Sequence, residues 1–258
     1  MNGLRLPPRL AAVAEVVPQC RVLVDVGTER AVLPAFLLFE GRCQRAIGVE
    51  RSANVLREAA AELDALGLRD MCELRLGDGL SVLEPGEVDV IVIAGIGGRL
   101  TVRLLERDLP RLRSRPLALV LQPMSEPELV RRWLETSGHR LGVAPLAERL
   151  VVDAGRYYHV LVAGDQTIAG TAPPSPEKRA EIAGRLGATA AGELGVYLLS
   201  AGDPLLAGYI GWRRASLEHL VQRAAAGGSP AGVRRAMSAR RLERALARIE
   251  NLLRDKSW

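Results

Sequence analysis

The sequence predicts a doubly wound α/β sheet followed by a small, basic helical unit. Apolar segments with strand-like composition alternate with helix candidates through the first 165 residues, which is typical of a parallel sheet covered by helices. The segments Val90–Ile93 and Leu119–Leu121 are continuously apolar, as expected for strands buried on both faces. Three of the strand candidates are followed by Asp or Gly residues, at the edge where such sheets bind ligands.

The predicted elements follow one another in a regular order. An opening helix over 10–17 precedes the alternating part, and the last two strands form a hairpin around Asp153-Ala154-Gly155. The predicted strands are 22–26, 45–49, 72–76, 88–94, 117–122, 146–152 and 157–163, and the intervening helices are 33–40, 52–66, 99–105 and 126–137.

A segment rich in Gly, Thr, Ala and Pro, ending in Pro173-Pro174-Ser175-Pro176, divides the chain. We assign 1–165 to the first domain, 166–177 to a linker and 178–258 to a helical domain. In the helical domain, apolar residues recur at helical spacing over 205–226 and 233–253, with a turn at 227–230 between them. The second run is close to a heptad repeat, so the sequence predicts an antiparallel coiled-coil hairpin.

The net charge of +5 is concentrated in the last third of the chain. Residues 1–170 carry 21 Lys/Arg and 22 Asp/Glu, whereas residues 171–258 carry 14 and 8. This excess indicates a polyanionic partner or a solvated helix surface, and charge alone favours neither. The arginines predicted to contact nucleic acid are Arg213, Arg214, Arg234, Arg235, Arg240, Arg241 and Arg244.

Neither a metal site nor a membrane segment is predicted. Cys20, Cys43 and Cys72 lack metal-ligand spacing, and we expect them to be reduced thiols in a cytoplasmic protein. Arg5 and Pro7–Arg9 interrupt any signal-peptide pattern, and no apolar run is long enough to span a bilayer. The sequence leaves the oligomeric state open, with a monomer as one possibility.

The predicted strand ends carry a coherent set of acidic residues and glycines. Glu50 ends the second strand, where an acid suits the two hydroxyls of a ribose, and Asp78 follows the third, where it can reach a base amino group. The strict GxGxxG pattern is absent, so S-adenosylmethionine fits this edge better than NAD. The predicted cofactor-binding residues are Asp25, Gly27, Glu50, Asp78, Gly79, Ala94, Gly95 and Gly97.

Longer motifs surround these residues. They are Asp25-Val26-Gly27-Thr28, Gly77-Asp78-Gly79-Leu80, Ile93-Ala94-Gly95-Ile96-Gly97-Gly98, Leu121-Gln122-Pro123, Arg132-Trp133-Leu134 and Gly155-Arg156-Tyr157-Tyr158. As a set they resemble the bacterial tRNA (adenine-22-N1)-methyltransferase family over nearly all of residues 5–165. Asp203-Pro204-Leu205-Leu206 and the helical tail extend the resemblance more loosely.

The resemblance implies a class I methyltransferase fold, which its terminal β-hairpin distinguishes from a plain dinucleotide-binding fold, and a C-terminal coiled-coil hairpin. It implies methyl transfer from S-adenosylmethionine to N1 of a tRNA adenine that has left its stack. Neutral adenine N1 already has a lone pair, so positioning and electrostatics should carry catalysis. Glu29 and Arg30 are the predicted catalytic residues, with Glu29 in the electrostatic role.

This chain departs from the family pattern on the substrate side. Glu29-Arg30 stands where the family has Asp-His, Val32 where it has Tyr, and Met124 where it has Asn. Arginine is a permanent cation, and valine removes a ring that could stack on the target base. Two alternatives therefore stay open: a related methyltransferase with a different substrate, and a non-catalytic RNA-binding protein that retains the cofactor pocket.

Overall fold

The structure is a computed structural model that describes residues 4–112, 117–226 and 230–254. It divides into two compact units, Met1–Pro173 and Pro174–Trp258. The strands of the first unit are β1 (Cys20–Val26), β2 (Cys43–Glu50), β3 (Cys72–Leu76), β4 (Val90–Ala94), β5 (Ala118–Gln122), β6 (Pro145–Asp153) and β7 (Arg156–Gly164). Its helices are α1 (Pro8–Val16), α2 (Val32–Phe39), α3 (Ala53–Ala65), α4 (Gly98–Leu112), α5 (Pro127–Trp133) and α6 (Gln166–Ala169).

The strands form one sheet in the order β3-β2-β1-β4-β5-β7-β6. Strands β1 to β5 pair in parallel, while β7 runs antiparallel to both β5 and β6. The predicted doubly wound sheet with a terminal hairpin is therefore confirmed. Helix α4 continues to Leu112, beyond the predicted end at 105, because Leu105, Leu109 and Leu112 all bury on the same helix face.

Helices cover both faces of the sheet. Val90 and Val92 of β4 belong to a core cluster with residues of α1, α2 and α3, whereas Ile91 and Ile93 belong to a second cluster with residues of α4 and α5. The alternation follows from the two-residue period of a strand, which points successive side chains to opposite faces. A continuously apolar strand is thus buried from both sides.

The predicted linker 166–177 is shorter in the structure. Helix α6 lies inside it, its first turn capped by Asp165, whose side chain accepts a hydrogen bond from the Thr167 N–H at 2.9 Å. Ala169 of this helix is buried in the core of the first unit. The Gly/Thr/Ala-rich composition of this segment predicts a loop, but burial against the first unit stabilises a helix there.

The second unit consists, within the described residues, of α7 (Pro176–Leu194), α8 (Val196–Ser200), α9 (Leu206–Ala226) and α10 (Pro230–Arg254). The sequence does not single out α7 and α8, and α7 is kinked at Gly187, whose φ is +69°. Arg214 of α9 pairs with Glu243 and Glu250 in the second half of α10, whereas Leu220, further along α9, shares a cavity with Ala231 at the start of α10. Helices α9 and α10 therefore run antiparallel. Residues 227–229 of the predicted turn at 227–230 lie outside the described residues, and the coiled-coil seam stays a prediction.

We expect Gly98→Ala to destabilise the first unit. A Cβ at this position would lie 2.4 Å from the backbone oxygen of Glu126 and 2.8 Å from that of Ser125, so the backbone would have to move. Overpacking of this kind costs about 1–3 kcal/mol, which thermal unfolding followed by circular dichroism would detect. Gly211→Ala is the control, because an added Cβ there meets no atom within 4 Å. Equal unfolding midpoints for Gly98→Ala and the wild type would contradict the packing.

Candidate active site

A cavity of about 230 Å³ opens at the carboxyl ends of β1 to β4. Six of the eight predicted cofactor-binding residues line it, so positions from Gly27 to Gly95 meet in one place. The lining residues are Val26, Gly27, Glu29, Val49, Glu50, Arg51, Gly77, Asp78, Gly79, Ala94, Gly95, Ile96, Leu100 and Leu104.

The glycines of the cavity wall have backbone conformations that other residues rarely adopt. Gly27, Gly79 and Gly95 have φ values of +74°, +65° and +85°. At Gly79 a Cβ would in addition lie 2.6 Å from Cδ2 of Leu104. The loops after β1, β3 and β4 therefore need glycine for their own shape, and they leave backbone exposed to a ligand.

Glu50 is fixed by the start of the helix that follows it. Its Oε1 accepts hydrogen bonds from the backbone N–H groups of Arg51 at 2.7 Å and Ser52 at 3.0 Å. Its Oε2 has no hydrogen-bond partner among the described residues. One oxygen thus anchors the carboxylate, and the other is left to accept from a ligand.

Asp78 is held by an arginine that the sequence does not single out. Arg107 on α4 donates to Oδ2 of Asp78 at 2.7 Å and to its backbone oxygen at 2.6 Å. Arg107 is in turn held by the buried carboxylate of Asp108, at 2.8 Å. The hydrogen bond from Arg107 lowers the pKa of Asp78 below its ordinary value, so this group is an ionised acceptor at neutral pH.

Two predicted cofactor-binding residues, Asp25 and Gly97, do not line the cavity, and their role at the cofactor stays a prediction. Asp25 is only 5% exposed, between Gly48 of β2 and Val92 of β4, and this burial raises its pKa to about 6. Gly97 accepts a hydrogen bond from Thr101 with its backbone oxygen, at 3.0 Å, in the first turn of α4. Both residues support the edge and do not line the cavity.

The side chains of Glu29 and Arg30 have different surroundings. Glu29 lines the cavity from an exposed position with a φ of +47°. Arg30 does not line it and forms an ion pair with Glu62 of α3 instead. A catalytic role of Arg30 stays a prediction, and the ion pair holds its side chain at Glu62.

The loops after β4 and β5 are joined by Gln122 and Met124. The N–H of Met124 donates to the Ile96 oxygen at 2.8 Å, and the Met124 side chain is 40% exposed. Gln122 is fully buried, and its Oε1 accepts from the Gly95 N–H at 3.2 Å and from Arg9 of α1 at 2.6 Å. Arg9 is thus brought to this edge by a contact between residues far apart in sequence.

The predicted nucleic-acid-binding arginines fall into two groups. Arg213 pairs with Glu193, and Arg214 pairs with Glu243 and Glu250, so these two tie helices of the second unit together. Their predicted contact with nucleic acid stays a prediction. The others are exposed and form no ion pair with any described residue; they are Arg234, Arg235, Arg240, Arg241 and Arg244.

Over the three described ranges, no group of three His, Cys, Asp or Glu residues could hold a metal ion. Cys20, Cys43 and Cys72 are free thiols. None of the described helices combines the length and the apolar character that crossing a bilayer requires.

Comparison with known proteins places this geometry in a family. The Methyltransferase domain family matches residues 6–161. The tRNA (adenine(22)-N(1))-methyltransferase of Bacillus subtilis (strain 168) is 34% identical over 171 residues, which are 66% of this chain and 70% of that protein. The chain belongs to this methyltransferase family. The family resemblance of the strand-end motifs is thereby confirmed.

Solved structures extend the similarity along the chain. The B. subtilis M1A22 tRNA methyltransferase TrmK shares the fold with a TM-score of 0.76 and 24% identity, covering 96% of this chain and 99% of that one. Streptococcus pneumoniae Sp1610, solved in complex with S-adenosyl-L-methionine, gives a TM-score of 0.70 and 28% identity, covering 93% and 100%. At this coverage of the chain, the matched residues include helices of the second unit as well as the methyltransferase sheet.

We expect Asp25→Asn to stabilise the methyltransferase unit at neutral pH. An aspartate with a folded pKa of about 6 keeps a proton that the unfolded chain releases near 3.8, so stability falls as the pH rises through this window. At pH 7 the buried charge costs about 3 kcal/mol, and the amide avoids this cost. The free energy of unfolding in urea should therefore rise at pH 7 and change little at pH 4.

The control for this prediction is Asp70→Asn, at an exposed aspartate. It should leave the free energy of unfolding unchanged at both pH values. An Asp25→Asn stabilisation of equal size at pH 4 and pH 7 would show that desolvation of the charge is not its cause.

Proposed function

We propose that this protein is an S-adenosylmethionine-dependent methyltransferase that modifies N1 of adenine 22 in tRNA. The observation that carries the proposal is the shared cavity, in which residues from four adjacent strand ends meet in the order of the sheet. The B. subtilis relative is named for this activity, and Sp1610 was solved with S-adenosyl-L-methionine.

The residues that line the cavity can bind each part of the cofactor in turn. Asp78 after β3 is an ionised acceptor for the adenine amino group, and Glu50 after β2 has a free carboxylate oxygen for ribose hydroxyls. Gly27 after β1 and Gly95 after β4 have no side chain, so the rest of the cofactor can lie directly against their backbone. Three carboxylates around the cavity, with Glu29 the third, also favour a cationic sulfonium.

Methyl transfer to adenine N1 does not require the protein to remove a proton first. When the cofactor is bound, the N1 lone pair of the target adenine forms a bond to the methyl carbon while the carbon–sulfur electron pair returns to sulfur. The purine becomes cationic, so a fixed negative charge nearby stabilises the transition state. Glu29 supplies such a charge at the cavity, and the pairing of Arg30 with Glu62 keeps an opposing cation away.

Exposed arginines of α10 suit an RNA backbone. Arg234, Arg235, Arg240, Arg241 and Arg244 lie within a single helix and carry charges that no described acid neutralises. Contacts of arginine with phosphates give affinity that falls as salt rises and carry little base information. Such contacts suit recognition of a folded RNA by shape.

One observation favours a different RNA target for the same chemistry. Met124 exposes a thioether at the edge where the family carries an amide, so an apolar contact replaces a hydrogen-bonding group. A change of this kind alters base recognition without touching the cofactor side of the cavity.

We expect Asp78→Ala to weaken binding of S-adenosylhomocysteine by about 10- to 100-fold, because a hydrogen bond to a charged group is lost. Isothermal titration calorimetry measures this affinity directly, and Asp70→Ala, at an exposed aspartate outside the cavity, is the matched control. Full affinity in Asp78→Ala would refute the assignment of this residue to the cofactor.

The RNA target is tested with tRNA transcripts that carry adenine or guanine at position 22. Mass spectrometry should find one N1-methyladenosine at position 22 of the first transcript and none in the second. Equal methylation of both transcripts would point to another RNA site. Salt-sensitive binding of tRNA without any methyl transfer would support the non-catalytic alternative.

A further inference from the structure

A cavity of about 460 Å³ lies between the second half of α9 and the first half of α10. Its apolar wall consists of Leu217, which is buried, and of Leu220 and Leu242, which are half-buried. Ala231 and Ser238 of α10 also line it, and their side chains are too small to fill the space beside the leucines. The two helices therefore leave an apolar surface open to a ligand.

An arginine of α10 takes a position that apolar residues occupy further along the same helix. Ala239, Leu242, Leu246 and Ile249 follow one another at steps of three or four residues and are buried or half-buried. Arg235 precedes Ala239 by four residues on the same stripe, yet it is exposed and lines the cavity. The stripe thus changes from apolar to cationic at the cavity.

The positive charge at this cavity is not neutralised by the part of the chain that the structure describes. Arg234 and Arg235 both line the cavity, and neither forms an ion pair with a described residue. Glu243 and Glu250 of α10 pair with Arg214 instead. Among the described lining residues none is acidic, so the cavity attracts an anion.

An apolar wall beside two guanidinium groups suits an unpaired nucleotide. The faces of a base pack on apolar side chains and on guanidinium planes, while arginine binds the phosphates of the chain. Neighbouring bases cover these faces in a duplex, so only an unstacked base can use such a wall. An acidic peptide would satisfy the arginines but offers no flat body for the leucines, and the proposed substrate is an RNA.

We propose that this cavity binds the base of one unpaired nucleotide of the RNA substrate, while Arg234 and Arg235 bind the phosphates on either side of it. The proposal rests on RNA as the proposed substrate and not on methyl transfer. Phosphate contacts along α10 carry little base information, whereas this contact requires an unstacked base. The helical unit would then distinguish a folded RNA with unpaired nucleotides from a plain duplex.

The test compares the binding of a tRNA transcript and of a fully paired RNA duplex, measured by fluorescence anisotropy. Ser238→Phe, at an exposed lining position, puts a ring into the cavity and keeps every charge. It should weaken tRNA binding by about 5- to 100-fold, because the packing of one base is lost, and leave duplex binding unchanged. Arg235→Gln should weaken both and lower the slope of log affinity against log salt by about one.

Two further variants accompany this comparison. Ala231→Phe, at another exposed lining position, should act as Ser238→Phe does and replaces it if thermal unfolding shows that Ser238→Phe is destabilised. Ala215→Phe, at an exposed position of α9 that does not line the cavity, is the matched control and should change neither affinity.

Two results would overturn the proposal. Equal weakening of tRNA and duplex binding by the ring would show that it only disturbs the arginines. Unchanged tRNA binding in both lining variants would exclude RNA from the cavity and leave an acidic peptide as its occupant. Binding of tRNA that depends on the cavity, without methyl transfer by the wild type, would reject the proposed activity and leave this proposal standing.

Discussion

The structure depends on the reversal of strand order between β1 and β4. The chain builds β1, β2 and β3 outwards in one direction and then returns to place β4 on the other side of β1. Helix α2 consequently packs on one face of the sheet and α4 on the other, and the loops that lead into them diverge. A crevice opens where they part, and the candidate ligand groups lie along it.

Charge is organised around that crevice by arginines, of which Arg107 and Arg9 lie outside the predicted site residues. Arg107 orients Asp78 and is itself held by the buried Asp108. Arg30 forms its ion pair with Glu62, while the neighbouring Glu29 lines the cavity. The result is an acidic site suited to a cationic cofactor and to a purine that becomes cationic, and Arg9 lies beside it through its hydrogen bond to the Gln122 amide.

Much of the fold can be predicted from local patterns, because β-branched runs, glycine turns and helical spacing all act over short distances. What could not be predicted depends on contacts between distant residues. Arg9 and Gln122 are 113 positions apart, and Arg107 and Asp78 are 29 apart. The same holds for Arg213 and Arg214, which look like surface charges in sequence but meet Glu193 and Glu243. Likewise, α6 is a helix because it is buried in the core, although its composition predicts a loop.

Hydrogen–deuterium exchange with and without S-adenosylhomocysteine tests the central claim most directly, namely that the ligand lies across the ends of β1 to β4. Slower exchange is expected together in the loops at 27–29, 50–52, 77–79 and 94–96. A second cavity, lined among others by Arg42, Ala147 and Ile168, lies away from these strand ends and should be unaffected. Protection at that second cavity, with none in the four loops, would contradict the account.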